Sequence, residues 1–325
     1  MSENCVGPSS WWTYFGYEPC ETIEIKNTES CAEPGSVLSY LGMSCKLNCI
    51  HLNNCFNKNL FKNMKYDDIR DQYIVNGNII YKYQRNLGQG GYGEVNEYTL
   101  ASDISNYPVQ IAVKTGDIQD DKAIIEKLQR LNICSHVTIP SIYVENTDGT
   151  SFVVMEKIDG TLNSWRRKGT HITLKIIKSI ASGMLCLLNG GLLYTDAKLD
   201  NIFYRNNGPN GLDIILGDLG SIADRNSNGM TRTFPAINDF DLPYASESDI
   251  VWGIGIIYLS LSGYKVGELY ASIPYNDRRF NLGLIRDKYV DDNKNNIDLF
   301  DSMLTTNSTK RATLRTLIDK IDNLL

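Results

Sequence analysis

From residue 73 onward, apolar and polar positions alternate with the period of two that marks strands with one buried face. Ile74-Val75 and Ile79-Ile80 are short β-prone runs around Asn76-Gly77, a dipeptide favoured in two-residue hairpin turns because both residues tolerate positive φ. Further strands are predicted over 81–87, 94–100 and 109–115, then over 139–145 and 151–156 around Asp148-Gly149. Between these groups, 118–131 carries Ile124, Ile125, Leu128 and Leu131 at helical spacing. After Asp159-Gly160 the period lengthens. Ile172, Ile176, Ile177, Ile180, Met184, Leu187 and Leu188 predict a long amphipathic helix that stops at Gly190-Gly191. Short strands are predicted around 194–201 and before Asp218, with 206–211 as a polar hairpin insertion. Residues 249–261 are apolar nearly all round, which predicts a buried helix whose Gly253 and Gly255 permit close packing. A last helix over 312–324 carries Leu314, Leu317, Ile318, Ile321 and Leu324 on one face.

Residues 1–70 stand apart from this plan. Cys5, Cys20, Cys31, Cys45, Cys49 and Cys55 fall here, whereas only Cys134 and Cys186 lie beyond. Three readings stay open. Reduced thiols suit a cytosolic setting, and a disulfide framework needs an oxidising one. Zinc could be held by Cys45, Cys49, His51 and Cys55, although no C-x-x-C pair is present. Trp11, Trp12, Tyr14, Phe15 and Tyr17 cluster among turn residues and read as this segment's own small core, or its anchor onto the larger domain, in preference to a partner site. A short helix is predicted over 37–43. The chain thus divides into a cysteine-rich segment, 1–70, and a larger domain, 71–325.

Composition narrows the function. With 42% hydrophobic and 22% charged residues, the 325-residue chain resembles ordinary folded proteins. A formal charge of -6 argues against the broad basic surface that neutralises nucleic-acid phosphates. No run approaches the roughly 18 apolar residues of a membrane span. Met1-Ser2-Glu3-Asn4 lacks the basic-then-apolar layout of a secretory leader. The expectation is a cytoplasmic protein that binds neither nucleic acid nor membrane.

One octet concentrates the chemistry. Tyr194-Thr195-Asp196-Ala197-Lys198-Leu199-Asp200-Asn201 places a carboxylate, a cation and an amide in one short connection. Phosphoryl transfer asks for such groups: a base to orient the acceptor, a cation on the transferred phosphate and oxygen ligands for Mg²⁺. Alone the string is a weak signal, because D-x-K-x-x-N also arises by chance. Its surroundings sharpen it. Gly88-Gln89-Gly90-Gly91-Tyr92-Gly93-Glu94-Val95 lies between two strands, where glycines let backbone N–H groups approach phosphate oxygens. Ile111-Ala112-Val113-Lys114 ends a half-buried strand with a lysine that needs a partner or a ligand. Asp218-Leu219-Gly220 follows the apolar run Ile214-Ile215-Leu216-Gly217.

In this order, the four motifs resemble the eukaryotic-type protein kinase superfamily. The resemblance implies an α+β, two-lobed fold, with a β-rich N-lobe over about 71–156 and a mainly helical C-lobe over about 160–325, behind the cysteine-rich extension. It implies ATP and Mg²⁺ as cofactors. Lys198 beside Asp196 implies a protein substrate with a Ser/Thr acceptor. Asp196 would be the base and Lys198 would sit on the γ-phosphate. Gly88, Gln89, Gly90, Gly91, Tyr92 and Gly93 would cover the nucleotide, with Val95 and Ala112 also in its site. Lys114 would hold the α- and β-phosphates, with Glu126 as its helix partner. Met155 would back the pocket while the backbone of Glu156 and Ile158 reads the adenine edge. Asn201 and Asp218 would hold metal. Arg311 would be the buried arginine before the last helix, which distinguishes the chain from small-molecule kinases.

The sequence also departs from that family. Tyr194-Thr195 stands where His-Arg is usual, so no guanidinium is available there to read a phosphorylated activation segment. Thr231 and Thr233 therefore need not be regulatory, and constitutive activity is implied. Thr233-Phe234-Pro235-Ala236 is the nearest remnant of Ala-Pro-Glu, which leaves Asp239 or Glu247 as partners for Arg311. Asp249 lies one residue too far from Gly255 for the family's buried-helix aspartate. Such divergence carries an alternative: a pseudokinase acting as a nucleotide-binding or scaffold module. The extension and eroded motifs are similar to kinases of large DNA viruses, which would place the protein in host cytoplasm or a virion.

Overall fold

Asn76 and Gly77 take φ of 50° and 83°, the left-handed pair that a primed two-residue turn requires. They join two antiparallel strands, Gln72–Val75 and Ile79–Gly90. With Lys65–Asp67 before them as β1, these are β2 and β3. β4 (Gly93–Leu100), β5 (Gln110–Gly116), β6 (Ser141–Glu145) and β7 (Ser151–Glu156) complete a seven-stranded sheet in the order β1-β2-β3-β4-β5-β7-β6. Each neighbouring pair is antiparallel.

The computed structural model describes residues 60–325 apart from 62, 91–92, 102–103, 105–106, 132–137, 166–169, 207–211, 225–245, 267–285 and 290–295. The described residues all lie within one compact unit, Asn53–Leu325. The cysteine and aromatic readings of the first segment lie outside the described residues. So do Gly91, Tyr92, Thr231, Thr233, the 234–236 remnant, Asp239 and the tip of the 206–211 insertion.

The sheet curls on itself. Tyr73 on β2 packs against Phe152 on β7 with ring centroids 4.9 Å apart, although β3, β4 and β5 separate the two strands along the sheet. Phe61, Met64, Val75, Tyr81, Ile111 and Val154 fill the curl, all fully buried. The sheet therefore begins upstream of residue 73, because β1 is a polar strand whose first two residues are exposed and which carries no alternating signal. The division expected near residue 70 falls inside this sheet.

α1 (Gln119–Leu131) follows β5, and Ile118 just before it and Ile125 on it are in the core. The C-lobe is built around α2 (Thr170–Asn189), which packs against α3 (Glu247–Leu261) and α5 (Leu314–Asp322). α4 (Ile297–Leu304) packs on α3 and α5. By length and composition, His171–Asn189 could cross a membrane. Here its apolar content serves the core: Ile177, Ile180, Met184 and Leu187 are fully buried. α3 is apolar all round because it is enclosed, with Gly255 so close to Leu304 that a Cβ would lie 2.7 Å from that side chain. Ser246 caps α3 in a capping box with Asp249, which gives Asp249 a local structural role. Short strands β8 (Gly160–Thr161), β9 (Leu192–Tyr194), β10 (Ile202–Asn206), β11 (Leu212–Leu216) and β12 (Ile222–Asp224) form a three-stranded sheet, β11-β10-β8, and a β12-β9 pair. These small sheets hold the two loops that matter next.

Candidate functional site

β9 feeds the octet and β11 feeds Asp218, and the two connections are bonded to each other. Gly217 N–H donates to the Asn201 carbonyl at 2.9 Å, and Thr195 N–H donates to the Ser221 carbonyl at 2.8 Å. Tyr194 is fully buried between them, its hydroxyl 2.9 Å from the Asn201 carbonyl and 2.7 Å from that of Gly217. Burial pushes its phenol well above the usual tyrosine range, so it stays a donor. Ala197 touches α3 at Gly253, where an added Cβ would lie 2.9 Å from the alanine methyl.

The polar side chains converge. Lys198 Nζ donates to Asp196 Oδ2 at 2.6 Å. Asn201 Nδ2 lies 3.2 Å from Asp196 Oδ2, 3.4 Å from Asp218 Oδ2 and 3.1 Å from Ser221 Oγ. Ser221 Oγ in turn donates to Asp218 Oδ2 at 2.9 Å. Every neighbour of the Asn201 amide on this side is therefore an acceptor, which fixes Nδ2 toward them. Asn201 Oδ1 and Asp218 Oδ1 then have no protein donor among the described residues. Two oxygens of this kind, one anionic, suit a hard cation such as Mg²⁺.

Asp218 stands at φ 47°, ψ 85°, a left-handed conformation that non-glycine residues rarely adopt and that persists only where its surroundings enforce it. The preceding Gly217 is dictated by packing. A Cβ there would fall 1.9 Å from the Phe203 ring.

The N-lobe contributes one face of its sheet. Directly opposed residues in an antiparallel pair point the same way. Val95 is opposite Lys114, and Ala112 is opposite both Glu97 and Met155, so the expected nucleotide contacts Val95, Ala112, Lys114 and Met155 share a face, with Glu97 beside them. β3 and β4 close in a tip at the Gly90–Gly93 pair. Gly88 has open space where a Cβ would be, while Gly93 at φ 137° leaves no room for one beside the Thr115 carbonyl. Gln89 pairs with Glu94, which puts it on the opposite face of the sheet from Val95.

The partner of Lys114 differs from expectation. Its ammonium donates to Asp121 Oδ2 at 2.6 Å, with both side chains largely buried, whereas Glu126 is exposed. Five residues advance a helix by about 140°, so Asp121 and Glu126 cannot face the same neighbour. Asp121 lies in the inward stripe with Ile118 and Ile125, early on α1, as the short connection after β5 requires. Burial raises the Asp121 carboxyl above its ordinary range. Lys114 offsets part of this, and the negative charge of Asp218 adds to it. Asp218 is thus near enough for its charge to act on the Lys114–Asp121 pair. An ion pair between Lys127 and Asp224 also joins α1 to β12.

At the strand end, the Glu156 N–H donates to the Pro140 carbonyl at 3.1 Å, and the Ile158 carbonyl accepts from Lys157 Nζ at 2.9 Å. Edge reading by this backbone would fall to the Glu156 carbonyl and the Ile158 N–H. Met155 and Phe203 pack against the Ile139, Ile158 and Ile215 cluster. The Glu156 carboxylate is 2.6 Å from Arg205 Nη2 through both oxygens. Burial raises that carboxyl and Arg205 counters the shift. Ser221, Phe203, Arg205 and Asp121 all act at this site, yet sequence reasoning assigned none of them. Only Asp121 had a detectable signal, as an acid on the α1 core stripe.

Arg311 is buried, donates to the Thr305 and Ser248 carbonyls at 2.9 and 3.1 Å, and lies 4.9 Å from the Trp252 ring centroid. Glu247 accepts from the Leu314 N–H at 2.7 Å, so one of its oxygens caps α5. Compared with known families, residues 81–321 match the family model described as "Protein kinase domain".

Proposed function

Because the chain belongs to the protein kinase domain family, we propose that it transfers the γ-phosphoryl group of ATP to serine or threonine hydroxyls of a protein, with Asp196 as the base. The observation that carries this reading is the convergence of Asp196, Lys198, Asn201 and Asp218 from two mutually bonded loops. Bound Mg²⁺ would supply charge neutralisation on the phosphates, with Asn201 Oδ1 and Asp218 Oδ1 as its protein ligands. As the acceptor oxygen bonds to the γ-phosphorus, the bond from phosphorus to the bridging oxygen breaks. The acceptor proton passes to the Asp196 carboxylate. Lys198, held 2.6 Å from that carboxylate, is close enough to share its charge with the transferred group. Lys114, oriented by Asp121, would hold the remaining phosphates under the β3–β4 tip.

Constitutive activity is part of the proposal. Thr195 carries no cation, and its N–H is committed to the Ser221 carbonyl. The described bonds that order Asp196 against Asp218 are all within the chain and need no added phosphate.

The test is transfer of labelled phosphate from ATP to dephosphorylated casein, with acid hydrolysis to identify the acceptor residue. Removing a positioned base lowers rates about 10²- to 10⁴-fold, so Asp196→Ala should lose at least that lower factor. The nucleotide-induced thermal shift should persist in this variant. Undiminished transfer by Asp196→Ala would refute the base assignment. A thermal shift without any transfer by the unaltered protein would favour the pseudokinase reading.

A further inference from the structure

We propose that the open end of the curled N-lobe sheet is a binding pocket for a guanidinium group, presented by an arginine in a segment of a partner protein. The pocket encloses about 660 Å³. It lies on the face of β4 that carries Glu94, Asn96 and Tyr98, opposite the face of Val95 and Lys114, so it is separate from the phosphoryl-transfer site.

Its floor is aromatic. Tyr73, Tyr98 and Phe152 are each only 3% exposed, and Tyr73 meets both of the others at ring-centroid distances of 4.9 Å. Although these rings are buried, the hydroxyls of Tyr73 and Tyr98 have no hydrogen-bond partner among the described residues, and both residues line the cavity. The two hydroxyls open into the cavity, where each keeps a proton and lone pairs for a group that enters. Tyr66 and Tyr83 form the rim, 49% and 38% exposed, each in ring contact with one of the floor tyrosines, Tyr73 and Tyr98 respectively.

Charge selects the ligand. Asp71 and Glu94 line the pocket, and its described lining includes no lysine or arginine. Asp71 already accepts from the Tyr66 hydroxyl at 2.8 Å. Burial, followed by that bond, pushes the Tyr66 phenol up to about 12, so the rim stays neutral and keeps its π face. Aromatic faces beside carboxylates attract cations. A guanidinium is the cation that can stack on a tyrosine and also extend several N–H donors to carboxylate and phenol oxygens. An ammonium has no flat face to stack. Residues 1–69 contain no arginine, so the chain's own N-terminal segment does not provide one. The volume lies within the range that holds ligands of several residues' size, which suits an arginine with its flanking residues.

The test is calorimetric titration of the full chain at low salt with the capped peptide acetyl-Gly-Arg-Gly-Arg-Gly-amide, beside versions with citrulline or lysine at both arginines. Saturable binding of the arginine peptide is expected, with about tenfold weaker binding of the neutral citrulline peptide. The lysine peptide should bind about threefold more weakly than the arginine peptide. Glu94→Gln should weaken the arginine peptide about fivefold and Tyr83→Leu about threefold, both with unchanged melting temperature. Absence of saturable binding, equal binding of the citrulline peptide, or indifference to both substitutions would overturn the pocket. Equal binding of the lysine peptide would overturn the guanidinium assignment. If Glu94→Gln instead dissociates a dimer in sedimentation, the occupant is a second copy and the partner assignment falls.

Discussion

Asp121→Ala tests the reassigned partner of Lys114. The substitution leaves an ammonium whose side chain is only 17% exposed without the carboxylate now 2.6 Å away. A hydrogen bond to a charged group contributes about 1.5–3 kcal/mol, and about 1.4 kcal/mol corresponds to a factor of ten. The loss in kcat/KM for ATP should therefore be about 10- to 150-fold, read from peptide phosphorylation at limiting nucleotide. Glu126→Gln, at an exposed position on another face of α1, should stay within about twofold, as surface substitutions usually do. A double-mutant cycle separates the pair from its surroundings. Once Lys114 is changed to Met, the further change Asp121→Ala should cost little, because residues in direct contact are non-additive. Circular dichroism melts must show that the single variants remain folded at the assay temperature. If Glu126→Gln loses as much activity as Asp121→Ala, or if the two losses at 114 and 121 simply add, the reassignment is wrong.

Three other perturbations address different links. Ser221→Ala removes the hydroxyl that bridges Asp218 and Asn201. Losing such an outer partner typically lowers metal affinity about 10- to 100-fold, measurable by Mn²⁺ binding without any substrate. Gly217→Ala should destabilise by about 2–3 kcal/mol through overpacking against Phe203, and Gly217→Ala with Phe203→Leu should recover part of the melting temperature. Arg205→Ala strands the buried Glu156 carboxylate, and its cost should depend on pH. The folded-state pKa of Glu156 already lies above its ordinary 4.5 through burial, and loss of Arg205 raises it further. Stability linked to that proton is present below 4.5 and falls as pH rises through the higher folded value. The melting-temperature deficit of Arg205→Ala should therefore be smaller at pH 5 than at pH 8. An equal deficit at both would contradict the linkage.

Much of the fold could be read along the chain because its signals are local. Asn76-Gly77 specified its own turn, alternation marked β3 to β5, and the Ile176-Ile177-Ile180-Met184 spacing marked α2. The candidate site could be picked out for a related reason, since Asp196 and Asn201 lie in one short string and Asp218 ends an apolar run. Tertiary contacts were not legible. Helical spacing shows which side of α1 is apolar, but Asp121 shares that side only because Lys114 neutralises it. Spacing marks Asp121 as an acid on the core stripe, but only the folded strand shows that Lys114 is the group it meets. Arg205 and Glu156 are 49 positions apart, and neither carries a mark of the other. Phe203 declares itself only through the glycine it excludes from having a side chain at 217.

These two kinds of information meet in the octet. The sequence names the groups that could do chemistry, but it does not show which lone pairs and protons are already committed, and commitment decides function. Asn201 spends its Nδ2 protons on Asp196, Asp218 and Ser221, and by doing so it turns Oδ1 away from every described donor. Tyr194 stays protonated because it is buried, and it sits between the Asn201 and Gly217 carbonyls, so the octet and the Asp218 turn share one buried hydroxyl. Thr195 joins the same two loops through its backbone, at the position where the resembling family has a charged side chain. Rigidity between the loops is thus supplied by bonds among neighbours and not by a distant phosphate. That arrangement explains how the site can be ordered without Arg at position 195: the residue that departs from the family pattern stands where the chain has already bonded its two loops together.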